Sequence, residues 1–234
     1  MRCPKFSWND YFTASPVTRI GPCSYNSRYS TSATNVHVLN CLFNTFTSGS
    51  TGGALYCTSY YLLVESSSFF SCKTSSGAGG AIYFENTNYG ECVLHCVCGF
   101  DCNAANGYEG QFSNIYVRNA ISNKNYANYS SISRCVNQNS NTYKTLRFGY
   151  GKILCHSTNV SMNKCYYRSG IYCYPSGDSN SVTCSLLYST FADNNAISYT
   201  CIRLDNSGAK YEIKCCNIIR NTQGSLSSWG TIFL

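Results

Sequence analysis

Apolar and polar residues along this chain alternate in short runs instead of forming helical stripes. The runs are three to five residues long, as in "NVHVLN" (35–40), "CLF" (41–43), "GALYC" (53–57) and "YLLVE" (61–65). A period of two marks strands whose successive side chains point to opposite faces. No window keeps a 3.6-residue period for three turns. The runs are short and evenly spaced, which predicts an all-β fold with roughly three strands in each unit of about 27–30 residues.

The units echo one another. Gly52-Gly53-Ala54-Leu55-Tyr56 returns as Gly79-Gly80-Ala81-Ile82-Tyr83. Upstream of these words lie Phe43 and Phe69, and further on come "FDCN" (Phe100–Asn103) and "FADN" (Phe191–Asn194). Looser forms are "VNQN" (136–139) and "IIRN" (218–221), and worn strands follow in "SNIYV" (113–117), "SGIYC" (169–173), "TCIRL" (200–204) and "WGTIF" (229–233). Taking Phe43, Phe69, Phe100, Val136, Tyr167, Phe191 and Ile218 as equivalent gives about seven coils. Leu55, Ile82, Ile115, Ile171, Ile202 and Ile232 keep a similar step, with Leu146 standing in for the missing unit. A repeat of this length with three short strands per unit predicts a parallel β-helix, in which like positions stack about 4.8 Å apart.

The recurrent letters then acquire causes. Gly52, Gly53, Gly79 and Gly80 belong where the chain turns with positive φ, or where a neighbouring coil leaves no room for a Cβ. Asn103 and Asn194 are expected to bond to Asn on the next coil, while the Phe, Ile and Leu positions point inward. Residues 1–33 carry no repeat and hold three of the four prolines, so they are assigned as an irregular segment or cap, with the β-helix domain spanning 34–234.

Paired GGA-[ILV] and F-x-x-N words at this pitch resemble the repeats of the chlamydial polymorphic outer-membrane proteins and of similar trichomonad surface protein families. The matching positions are Gly52–Leu55, Gly79–Ile82, Phe100–Asn103 and Phe191–Asn194. The resemblance implies a right-handed, single-stranded parallel β-helix with an adhesin-like role at a cell surface or in secretion. The start "MRCPKFSWNDYF" shows no signal-peptide core, which points to the cytoplasm if the chain is complete. No apolar run reaches the ~18 residues of a membrane-spanning helix.

Composition refines the picture. Only 12% of residues are charged, while 44% are hydrophobic. Seventeen cysteines in a chain able to bury a core are read as reduced or only partly paired. "CVLHCVCGFDC" (92–102) gathers Cys92, His95, Cys96, Cys98 and Cys102, but at a spacing unlike the usual zinc patterns, so no metal and no other cofactor is expected. The ten carboxylates are scattered, though stacking could unite neighbours on adjacent coils, for instance Asp178 and Asp205. The expectation is therefore of no catalytic residues, with a degenerate polysaccharide-active enzyme as the lesser alternative.

Charge is uneven. Residues 1–117 hold five Lys or Arg against six Asp or Glu, and residues 118–234 hold twelve against four. Arg118, Arg134, Lys144, Arg147, Lys152, Lys164 and Arg168 are candidates for a basic binding stripe, with Tyr56, Tyr83, Tyr116 and Tyr172 as an outward aromatic ladder. The expected partner is a glycan or protein of a host or cell surface. Nucleic acid is not the expected ligand. The alternative is a structural module that self-associates end to end through residues 229–234.

Overall fold

The computed structural model describes residues 6–136, 142–198, 200–222 and 231–233. The chain winds as a parallel β-solenoid of about seven turns, as the period predicts. Each turn contributes one strand to each of three eight-stranded sheets. Sheet A runs from Thr18–Ile20 to Ala209–Lys214, sheet B from Cys23–Tyr25 to Asn217–Ile219, and sheet C from Tyr29–Thr31 to Ile232–Phe233. Strands at successive levels pair in parallel, for example Tyr61–Glu65 on Glu91–His95. An accessory pair, Lys164–Tyr167 with Asn195–Ser198, widens two levels between sheets B and C.

Stacking turns single letters into columns. On sheet B the inward column is Tyr25, Phe43, Phe69, Gly99, Ile132, Val160, Phe191 and Ile218. The rings of Phe43 and Phe69 lie parallel, 4.7 Å apart. Phe100, Val136 and Tyr167, expected in this column, lie outside it. Phe100 is one residue out of phase and stacks on the outer surface against Phe70 at 5.2 Å. The core position belongs to Gly99, and the Phe112 ring reaches across to fill the space a Cβ there would need. A sequence search for a bulky repeat letter passes over a glycine whose volume is supplied from another sheet.

Three residues beyond that column comes another inward one: Cys72, Cys102, Cys135, Asn163, Asn194 and Asn221. The expected asparagine ladder is present at Asn194, which receives Asn163 Nδ2 at 3.0 Å and donates to Asn221 Oδ1 at 3.0 Å. Asn103 is not part of it, since Cys102 occupies that level. Cysteine and asparagine do related work here. Asn194 Nδ2 donates to the Val160 carbonyl at 2.8 Å, and Cys72 Sγ to the Phe43 carbonyl at 3.4 Å, each one level back.

On sheet C the inward column reads Leu55, Ile82, Ser113, Leu146, Ile171, Ile202 and Ile232, so Leu146 fills the gap as expected. Ile115 lies two residues further along, level with Phe84 and Phe148. Gly52 and Gly79 have φ of 70° and 68°, the left-handed turn that favours glycine. Gly53 and Gly80 have ordinary φ but are hemmed in by neighbouring backbone: a Cβ on Gly80 would strike the carbonyl groups of Gln111 and Asn103.

The corners between sheets use left-handed residues that are not glycine. One column comprises Asn40, Ser66, Cys96, Tyr129, Ser157, Tyr188 and Cys215, with φ between 48° and 54°. Each such residue costs about 1–2 kcal/mol. The interlevel ladder holds them, as Ser66 N donates to the His95 carbonyl at 3.0 Å and Tyr129 N to that of His156 at 2.8 Å.

The first level of the solenoid, 18–31, lies inside the segment expected to be irregular. The described remainder, 6–17, does not cap an end. It straps across the outer face of sheet A, where Trp8 and Phe12 bury themselves against Leu63 and Val93. Beneath the strap, His37 Nε2 meets Glu65 at 2.8 Å, and His95 Nδ1 meets the Tyr11 hydroxyl at 2.9 Å.

Among the described residues fifteen cysteines are free thiols, most of them buried in the core, and Cys96 is disulfide-bonded. The "CVLHCVCGFDC" residues disperse: Cys92 and Cys102 point inward, His95 outward from sheet A, and Cys98 is exposed on sheet B. Among the described residues no group of three or more His, Cys, Asp or Glu could hold a metal ion, and no helix is long and apolar enough to cross a membrane.

Candidate functional site

The outer face of sheet C is where aromatic and cationic side chains converge. Its outward column follows the inward one by a single residue: Tyr56, Tyr83, Asn114, Arg147, Tyr172 and Arg203. Tyr56 and Tyr83 stack at 5.7 Å, with the Arg28 guanidinium 4.8 Å from the Tyr56 ring. Tyr116 belongs to the next column, level with Glu85 and Gly149, and lays its ring over Gly149 where a Cβ would stand.

Tyr172 is the centre of the cluster. Lys144 Nζ lies 4.2 Å from its ring centroid, Arg168 5.2 Å and Arg147 5.8 Å. Arg147 also covers Tyr116 at 4.4 Å. Arg203 is one level above Tyr172 and pairs with Asp205 at 3.0 Å, while the Tyr172 hydroxyl donates to the same carboxylate at 3.3 Å. Glu109 is shared by Lys144 and Arg147. Burial, followed by the nearby Asp205 carboxylate, pushes the Tyr172 hydroxyl up to about 12.

The backbone explains how the cations come to be side by side. Interlevel hydrogen bonds place Gly52, Gly79, Gly110, Lys144 and Arg168 at successive levels of one corner. All five are left-handed, with φ of 70°, 68°, 71°, 53° and 55°. Three levels use glycine, and the next two place long cations in the same turn. The turn directs both onto Tyr172.

Electrostatically the cluster is cationic: among the described residues Lys144, Arg147, Arg168 and Arg203 gather around Glu109 and Asp205. Lys144 is only 4% exposed. Burial holds Lys144, Arg147 and Arg168 below their ordinary values, and the cations repel one another further. The Nε of Arg147 is buried and has no hydrogen-bond partner. A cluster in that condition favours an arriving anion.

The rest of the expected stripe is dispersed around the solenoid. Arg134 sits at the far corner of sheet B, 5.7 Å from the Phe100 ring. Lys152 pairs in register with Lys124 on sheet A. Lys164 opens the accessory strand, and Arg118 lies exposed in the loop after Ser113–Tyr116. Of the seven bases only Lys144, Arg147 and Arg168 meet, because equal spacing in sequence does not give equal position in turns of unequal length.

Glu109, Arg203 and Asp205 complete the cluster; of these the sequence singles out only Asp205, as a possible partner of Asp178. Arg203 does follow the inward Ile202 in "TCIRL", as Tyr172 follows Ile171, so its column was legible. Asp178 and Asp205 have separate partners. Asp178 accepts from Asn180 N at 2.8 Å and from the Ser181 hydroxyl, closing a turn.

Comparison with protein-family models, with curated proteins and with the solved structures returned no match.

Proposed function

We propose that this chain is a non-enzymatic recognition solenoid that binds an anionic glycan along the outer face of sheet C, in the adhesin-like manner that its repeat words suggest. The observation that carries the reading is the convergence of Lys144, Arg147 and Arg168 on the Tyr172 ring. Cations supply the contact for a carboxylate or sulfate. The stacked Tyr56 and Tyr83 supply a flat apolar surface for a sugar ring. Glu109 and Asp205 are each engaged by a neighbouring cation, an arrangement suited to orienting the bases.

Arg168→Gly tests it. Glycine relieves a left-handed residue, worth about 1–2 kcal/mol, against the loss of a cation–π contact of about 0.5–2 kcal/mol. The variant should therefore fold with near-unchanged stability. Retention on an immobilised sulfated or polyuronate polysaccharide should fall about tenfold, the equivalent of ~1.4 kcal/mol, and should weaken with salt for the wild type. Equal retention of the variant, or equal competition by a neutral polysaccharide, refutes the proposal. The alternative of end-to-end association through 229–234 falls mostly outside the described residues, which include only 231–233 of that stretch.

A further inference from the structure

A second chemical feature lies away from the Tyr172 cluster, on the first two levels of sheet B. Cys23 and Cys41 are register partners on adjacent parallel strands. Their Sγ atoms are 2.8 Å apart. Facing residues on neighbouring parallel strands hold their Cα atoms about 4.8 Å apart, inside the window of about 4.4–6.8 Å that a disulfide requires. Cys23 is half-buried, with part of its surface open to solvent, and Cys41 is buried. One thiol can therefore meet a soluble reagent while the other waits behind it. The Cys72, Cys102 and Cys135 column also brings thiols together, but all three are fully buried and beyond the reach of an oxidant.

We propose that Cys23 and Cys41 form an oxidation site that takes a small soluble disulfide of the glutathione class and closes into a bond clamping the first level of the solenoid to the second. Cys23 loses its proton to solvent and attacks one sulfur of the small disulfide. That S–S bond breaks, and one small thiolate leaves and is protonated. Cys41 then gives up its proton and attacks the Cys23 sulfur of the mixed disulfide, expelling the second small thiol. Two protein thiols are oxidised, and one small disulfide is reduced to two thiols. Burial, with Cys23 alongside, pushes the Cys41 thiol up to about 12, so the closing step is the slow one and quickens as pH rises. The clamp acts on the edge strand Cys23–Tyr25, which comes one strand, Thr18–Ile20, after the strap over sheet A.

The test uses the full chain, first reduced and then placed in mixtures of oxidised and reduced glutathione at pH 7 and pH 9. Free thiols are alkylated and the protein is mapped without reduction. A peptide linking Cys23 to Cys41 should form before the exposed Cys98 and Cys215 join any protein disulfide, and faster at pH 9. Cys41→Ser should stop at a glutathione adduct on Cys23, and Cys23→Ser should leave Cys41 unmodified. The proposal is overturned if wild-type Cys23 stays a thiol, if its adduct persists at pH 9 without closing, or if the first link, the Cys96 disulfide of the folded chain aside, joins other cysteines. Wild-type mapping alone decides this even if a variant misfolds.

Discussion

Replacing Asn194 with alanine tests whether the inner ladder holds the solenoid together. Asn194 is fully buried. Its Oδ1 accepts from the Asn163 backbone N–H at 3.1 Å and from Asn163 Nδ2 at 3.0 Å. Its Nδ2 donates to the Val160 carbonyl at 2.8 Å and to Asn221 Oδ1 at 3.0 Å. Alanine removes all four bonds in a place water does not reach. At a net of ~1 kcal/mol each, the loss is about 4 kcal/mol. A chain of this size loses roughly 2–4 °C of melting temperature per kcal/mol, so the transition followed by far-ultraviolet circular dichroism should fall by about 8–16 °C by that scaling. Asn194→Cys provides the sharper comparison. A thiol there can still donate to the Val160 carbonyl, as Cys72 donates to that of Phe43. It should recover part of the loss. An alanine variant melting within ~2 °C of wild type, less than ~1 kcal/mol on the same scale, would show that the ladder carries little stability. A cysteine variant worse than alanine would refute the equivalence of the two residues in this column.

Two further outcomes follow from single residues. His37 is buried beneath the strap beside Glu65, with Arg19 nearby, and burial holds its pKa below the ordinary value of about 6.5. A depressed folded value means that its contribution is complete above about pH 6.5 and is lost as pH falls through the folded value. Thermal melts from pH 7.5 to 5 should therefore decline more steeply for the wild type than for His37→Gln, and parallel curves would exclude His37 as the cause. Gly80→Ala drives a Cβ into backbone carbonyl groups on two sides and should cost about 1–3 kcal/mol by urea unfolding. Gly49→Ala, with open space around it, should be neutral, and equal effects would contradict the packing argument.

The strands, the pitch and the solenoid were legible from the residues alone, because period-two runs and the two GGA words report local backbone geometry. The sequence also located Gly52, Gly79 and Asn194 correctly, since a left-handed turn and a buried amide each restrict the residues a position accepts. Tertiary structure decided what depends on the length of each turn. The register pairs Phe69 with Gly99 and Phe70 with Phe100, so Gly99 lies inside and Phe100 on the surface, with Phe112 reaching over from beside sheet C to fill the gap. Unequal turns scattered Arg118, Arg134, Lys152 and Lys164 and gathered Lys144, Arg147 and Arg168 on one tyrosine. Where the strap lies was also a tertiary outcome, because Trp8 and Phe12 needed an apolar surface and only the folded sheet A brings Leu63 and Val93 together to provide one.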